Sequence, residues 1–493
     1  MVVLTDRLLR SWLKCRRRAW LDRHGPQAQR QWSAHRALQL EDQLASFQSL
    51  LPERPSHGEA ACCSGSAGVV GLRLCARRSD GLAVEAHPVL LQRISGSSRW
   101  GAHCYRPVLG RQGYRLTREH RLQLALWGGL LAEHQQAPVP HGLVVAGRGT
   151  GLQQERLSLG ESLQRQLDDS LRKLALDLER PSMPPLVSDR KKCTLCSWRR
   201  LCDGEAAAEG HLSEVSGIGG KRRELLLGLG IERLAALAAS DPERLADQLE
   251  VHGEQHRELA AQLVAQARVQ ACGEPLQLNA AAALPELAAA PGVLLYDIES
   301  DPDARDDFLH GFVLVQRRAD GSWPDPGEPS RYLPLLALYE HGEERLWRRL
   351  QRLLARYPHW PLLHYGETEV LALVRLAQRQ GATDAELEAL RRRCLDVHQR
   401  LRRHWLLPVS SYGLKGVAGW LGFSWSQSGV DGARCLLWWR QWRRARRPGD
   451  RRARRTLERI FRYNRDDSLA TWAVAHWLLT AGADGRRHEA GGH

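Results

Sequence analysis

The sequence contains no run of about 18 uncharged apolar residues, the length that a membrane span requires. A membrane is therefore not an expected partner. The first twenty residues, MVVLTDRLLRSWLKCRRRAW, carry charges throughout and lack the apolar core of a secretory signal. The expected location is cytoplasmic. In that compartment the eleven cysteines are predicted to be reduced thiols or metal ligands rather than disulfides. Methionine, at two residues, and lysine are scarce, whereas alanine, leucine and arginine are abundant. That bias fits a GC-rich coding sequence that writes arginine for lysine. It also leaves a net charge of +15 and a pI near 9.7. Guanidinium groups grip phosphate bidentately, and a basic surface attracts polyanions. Composition thus permits a nucleic-acid partner without proving one.

Length alone predicts about three domains, and no internal repeat is visible. Residues 1–205 mix amphipathic helices with short strands; Leu8, Leu9, Trp12 and Leu13 recur at helical spacing. Residues 206–270 read as short helices separated by glycine turns. The Ala-, Leu- and Pro-rich stretch 271–290 reads as a linker. From residue 291 to 482, the apolar strand VLLYDIE opens an alternation of strands and helices. Residues 483–493, within GADGRRHEAGGH, are expected to be disordered. The fold class is therefore α/β and α+β, in several domains.

Cys193, Cys196 and Cys202 form a C-x2-C-x5-C cluster, set among basic residues and Trp198. Two-residue spacing lets two thiolates reach one metal centre, and Cys15, in SWLKCRRRAW, is the natural fourth ligand. Four thiolates suit zinc or an iron–sulfur cluster, and spacing does not separate the two. An early cysteine followed much later by C-x2-C-x5-C resembles the iron–sulfur nucleases of the RecB-like PD-(D/E)XK superfamily, including CRISPR-associated members. The resemblance implies a [4Fe–4S] cluster on Cys15, Cys193, Cys196 and Cys202, tying together the two chain ends of a restriction-endonuclease-like domain. The family also needs an Asp, an acidic-x-Lys pair and Gln-x3-Tyr. Here Val89 stands at the Asp position, and Leu109 and Arg111 stand at the acid and Lys positions. Gln123 is kept, but Trp127 replaces Tyr. Residues 1–205 are thus expected to be a degenerate nuclease domain kept for binding or scaffolding, with Glu85 and Glu119 the acids available to a shifted site.

HLSEVSGIGGKRRELLLGLGIERLAALAAS reads as two short helices around a glycine hairpin at Gly217, Gly219 and Gly220. The second of these helices would point its N-terminal N–H groups outward, where Lys221 and Arg222 assist phosphate binding. The pattern resembles helix–hairpin–helix modules, which hold DNA backbone without reading sequence. A plain helical connector would carry similar glycines.

The strongest chemical signal is Asp297-Ile298-Glu299, at the end of VLLYDIES. On a strand, residues i and i+2 face one side, so both carboxylates point together. Like charges so close call for a cation. A second strand, PLLHYG, leads into a helix with Glu369 in its first turn. A late helix, RIFRYNRDDSLATWAVAHWL, sets Tyr463 and Asp467 one turn apart on one face. Asp466 is the alternative acid, and Asp396 a further one; His364 reads as structural. Between them, Lys415 lies in SSYGLKGVAGWLGFSW, and Trp438, Trp439 and Trp442 interleave with Arg440, Arg443, Arg444, Arg446 and Arg447. Guanidinium groups there would meet phosphates and aromatic faces would stack on bases. An amphipathic helix with a tryptophan core face is the compatible alternative.

Together these elements resemble the DEDD exonucleases, of RNase H-like fold. More narrowly, HYGETE and SSYGLKGVAGWLGFSW resemble the ribonuclease H-like domain fused behind RecB-like domains, across residues 1–482. The resemblance implies two Mg2+ or Mn2+ ions on Asp297, Glu299 and Asp467, with Glu369 where many relatives use Asp. It gives Tyr463 the role of orienting the attacking water, in 3′–5′ exonucleolysis of DNA in preference to RNA. The rival expectation is an inactive, DNA-binding iron–sulfur scaffold in a repair or defence complex.

Overall fold

The computed structural model describes residues 3–111, 115–148, 151–187, 190–301, 306–328, 330–338, 342–445 and 450–490. Arg446 and Arg447 fall outside these. The chain divides into two compact units, Met1–Glu205 and Ala206–His493. Among the described residues, no helix is long and apolar enough to cross a membrane.

The first unit is built on a six-stranded mixed sheet and a smaller three-stranded one. Helix Arg118–Gln135 packs on them and is buried all round its middle turns, through Leu122, Leu124, Leu126, Trp127 and Leu131. Its N-terminus is closed by a capping box between Thr117 and His120. A small separate core forms where residues near 20 meet residues near 200. There Trp198, fully buried, packs against Leu21 and Cys202, and its indole N–H donates to Asp22 at 2.9 Å.

The second unit begins with a helical bundle. Helices Gly220–Gly228, Leu234–Ala239, Pro242–Glu250 and Ala260–Cys272 enclose Leu226, Leu237, Leu245, Leu249 and Leu263. A five-stranded mixed sheet comes next along the chain. Its central strand, Gly292–Asp301, pairs antiparallel with Asp306–Gln316 and parallel with Leu362–His364. Strands Arg331–Leu336 and Cys394–Asp396 form the edges. The central strand is apolar from Val293 to Tyr296 because it is covered on both faces, by distinct sets of buried side chains. The long helix Arg451–Ala490 covers one face through Ala470, Trp472, Val474 and Leu478.

One sequence expectation is corrected here. The stretch 271–290 is not a free linker: Leu276 and Gln277 pair with Leu406 and Trp405, and Ala283, Leu284 and Leu287 are buried in the sheet's core. Its alanines and leucines are there because they fill that core. Helix Arg451–Ala490 runs into the tail expected to be disordered, and residues 491–493 lie outside the described ones.

The bundle is fastened to the sheet domain by a closed polar ring. Gln266 donates to the Leu407 carbonyl at 2.9 Å and accepts from the Tyr412 hydroxyl at 2.9 Å, while that hydroxyl accepts from the Leu407 N–H at 2.8 Å. Replacing Tyr412 by Phe leaves a buried N–H and a buried amide oxygen unpaired. The expected cost is about 1–3 kcal/mol, read as a lower midpoint for unfolding of the second unit in urea.

Candidate active site

The central strand and the long helix carry the acids that converge. One carboxylate oxygen each from Asp297, Glu299 and Asp467 lies within 4.8 Å of the others. Among the described residues this is the one group of three or more potential metal-ligating side chains so closely set. The strand's alternation turns Asp297 and Glu299 to the same side. Immediately after Glu299 the pairing slips: Glu299 faces Leu309 but Ser300 faces Asp307. That irregularity leaves Phe308 without a partner on the central strand, and its ring stacks on Trp439 at 4.3 Å.

The electrostatics are those of unneutralised charge. Burial, then Asp467 and Glu299, push the Asp297 carboxyl well above its usual range. Burial and Asp467 do the same to Glu299, and burial raises Asp467. Three hard oxygen donors in a small space, each costly to ionise without a counter-charge, match what Mg2+ or Mn2+ demands. Asp297, Glu299 and Asp467 would hold such an ion. Glu369 lies outside the trio, but its charge acts on Asp297. Burial raises its carboxyl to about 7, and its Oε2 has no hydrogen-bond partner. Tyr463 hydrogen-bonds Asp467, and burial raises its phenol far above the ordinary value.

The other acids have structural duties. Asp466 accepts from the Ser426 backbone N–H at 2.9 Å and from its hydroxyl. Asp396 caps helix Val397–His404 and accepts from the Gly366 N–H. His364 contacts the Gly366 carbonyl at 2.6 Å, and burial lowers its pKa.

The basic-aromatic block is placed differently from the sequence expectation. Arg440 makes two 2.8 Å bonds to Asp301, so its guanidinium serves an internal ion pair instead of a surface phosphate site. Trp439 is buried between Phe308 and Trp442, which makes it core rather than a platform for bases. Arg443 lies over the Trp439 ring at 5.5 Å. Lys415 faces the acids: its Nζ sits 5.2 Å from the Tyr463 ring centroid, and its charge lowers the pKa of Glu299 and Asp467. In the hairpin, Gly217 has φ +94°, a conformation that favours glycine, and Gly219 caps the next helix. Lys221 is exposed, while Arg222 turns back to the Gly217 carbonyl at 2.6 Å.

Several residues at the acid cluster were not singled out from the sequence. Trp425 donates its indole N–H to Asp467 at 2.6 Å. The Cys435 thiol hydrogen-bonds Glu299. Asn464 donates to Asp297 at 2.6 Å. Asn464 adjoins Tyr463 in YNRDD, but no local pattern shows which strand its side chain reaches.

In the first unit, Cys15, Cys193, Cys196 and Cys202 come close enough to influence one another electrostatically. Burial raises Cys15 and Cys202, and pushes Cys193 to about 11, with neighbouring thiols adding to each shift. Among the described residues no three of these sulfurs lie within 4.8 Å. A single tetrahedral zinc would need spacings of about 3.8 Å. At the positions that a PD-(D/E)XK site would use, Leu109 is buried, and Arg111 pairs with Glu155 at 3.5 Å. The Trp127 indole donates to buried Asp6 at 2.9 Å. Glu85 is paired with Arg73, and Glu119 with Arg10 and Lys14.

The raised carboxyls carry a pH consequence. Between about 4.5 and about 7, folded metal-free protein holds a proton on Glu369 that the unfolded chain has released. Stability therefore falls as pH rises through that window. A cation bound at the trio offsets the repulsion among its carboxylates and competes with protons for them. Mn2+ is expected to raise the thermal midpoint more at pH 8 than at pH 5 by differential scanning calorimetry. An equal shift at both values would contradict the electrostatics.

The family model of the RNase_H superfamily matches residues 294–479. That span holds all five strands of the sheet apart from the first residues of the central one, together with Asp297, Glu299, Glu369 and Asp467. A comparison with curated proteins finds no match. Residues 294–479 are an RNase H-like domain, which points to nuclease-type hydrolysis of phosphodiester bonds.

Proposed function

We propose that the C-terminal domain degrades nucleic acid stepwise from a 3′ end, single-stranded DNA in preference to RNA. The observation that carries this reading is the convergence of Asp297, Glu299 and Asp467, with Tyr463 bonded to Asp467 and Lys415 beside them. Divalent ions held by Asp297, Glu299 and Asp467 would supply Lewis acidity to a bound phosphate. Tyr463, fixed by its bond to Asp467, is suited to orient a water through its hydroxyl. Lys415 brings positive charge to where a phosphate would lie. Glu369, buried close enough for its charge to act on Asp297, is a further acid of the site.

The other parts are proposed to hold the strand. The hairpin at Gly217–Gly220 presents a helix N-terminus with Lys221 exposed beside it, a fit for backbone phosphate. The first unit is proposed to be a degenerate RecB-like domain. Its acids at the expected region are paired with bases, which favours binding over cleavage there. A [4Fe–4S] cluster on Cys15, Cys193, Cys196 and Cys202 is proposed from the cysteine pattern, and the four thiols lie near enough to act on one another electrostatically.

End-labelled DNA and RNA strands of matched sequence, digested with Mn2+, test the central claim. Loss of mononucleotides from the 3′ end is expected, faster on DNA, and Asp297→Ala is expected to abolish it while the strand still binds. A variant that degrades as fast as the parent would sink the assignment of the site. For the thiols, anaerobically purified protein is expected to be brown and to contain iron, both lost in Cys193→Ser. Stoichiometric zinc without iron would refute the cluster.

A further inference from the structure

The acid trio is contributed by two elements, a strand and a helix, whose relative rotation must be held for the carboxylates to meet. Asn464, fully buried on the long helix one turn before Asp467, spans that junction. Its Nδ2 donates to Asp297 Oδ2 at 2.6 Å, and the same side chain hydrogen-bonds Glu299. Its Oδ1 accepts from the Tyr332 hydroxyl at 2.8 Å. An ionised carboxylate only accepts, so the amide must turn its NH2 toward the acids and its oxygen toward Tyr332. The two N–H bonds of one NH2 group match two carboxylates, and the oxygen is satisfied by the phenol. No other neutral side chain of this length offers two donors and an acceptor in that order.

The sheet makes room for this amide at one position. Gly311 lies directly opposite Asp297 in the antiparallel register. A Cβ built there would fall 1.6 Å from Asn464 Oδ1 and 3.1 Å from the Tyr332 ring. The backbone of Gly311 has no positive φ, so conformational freedom does not explain the glycine. The close approach of the Asn464 amide does.

We propose that Asn464, seated in the gap left by Gly311 and braced by Tyr332, is the positioning residue that holds Asp297 and Glu299 in the arrangement that receives a divalent cation. This inference rests on the cation-binding reading of the trio. By occupying one oxygen of Asp297, Asn464 leaves the other for the ion. By tying the helix to the strand, it sets the rotation that brings Asp467 to them. Outer-sphere partners of this kind commonly govern metal affinity by about 10–100-fold.

Mn2+ binding to the full chain, monitored by electron paramagnetic resonance of the free ion, tests this without requiring catalysis. Asn464→Ala and Gly311→Ala are each expected to weaken binding about 10–100-fold. The double variant is expected to be no worse than either single one, because Asn464→Ala removes the severe clash and leaves the added Cβ only the Tyr332 ring edge at 3.1 Å, which need give by a few tenths of an ångström. Nuclease rate, where measured, is expected to recover in excess Mn2+, as a merely misfolded site would not. Parent-like binding in either single variant, or additive losses in the double, would overturn the role of Asn464. Should Asn464→Ala fail to fold, Asn464→Ser, which keeps one donor, carries the same test with a smaller expected loss. If the parent itself binds no Mn2+ that Asp297→Ala removes, the cation reading fails first, independently of Asn464.

Discussion

Repulsion among buried carboxylates is the constraint on which the C-terminal domain turns. Asp297, Glu299 and Asp467 are brought together where water is largely excluded, and Asp467 makes both Asp297 and Glu299 harder to ionise. A protein that needed only stability would not gather them, since unpaired buried charge costs several kcal/mol. The arrangement is held by groups that give the negative charge somewhere to go. Trp425, Asn464 and Cys435 donate hydrogen bonds, and Lys415 supplies a cation nearby. These partners lessen the repulsion without removing it, which leaves a site whose remaining deficit is the size of a small cation.

The surrounding architecture serves that deficit. The central strand is apolar up to Tyr296 and turns acidic at its end, so the hydrophobic core and the charged site share one element and meet at one point. The slip after Glu299 redirects the neighbouring strand, and Phe308 uses the displacement to stack on Trp439. Helix Gly432–Ala445 is thereby fixed against the sheet, with Arg440 locked to Asp301 beyond it. Within the block, Trp439 and Arg440 brace the acid site.

The first unit shows the converse. It has a buried aliphatic side chain at 109, a paired arginine at 111 and a tryptophan at 127 bonded to Asp6. Its polar interactions are closed internally. The thiols near its two ends instead remain clustered around the Trp198 core, with the buried guanidinium of Arg17 beside Cys202.

How much was legible in residue order depends on the range of each interaction. Strand alternation and helical spacing are local, so the D-x-E pair and the Tyr463–Asp467 face could be read directly. Mixed strand and helix content, and the change of texture near residue 291, were readable for the same reason. The partners of those groups were not. Whether an arginine in a basic run meets Asp301 or a phosphate, whether a tryptophan lies in a core or on a surface, and whether residues 271–290 link or pack depend on segments distant in the chain. The role of Asn464 is the clearest case: its neighbours in sequence mark it as an ordinary helical polar residue. Its function exists only because Gly311, on another element, leaves a gap of the right size opposite Asp297. The sequence by itself determined which groups carry charge and which face of their own element they occupy; only the tertiary packing decided what each charge faces, because that is set by contacts between elements whose spacing along the chain carries no periodicity.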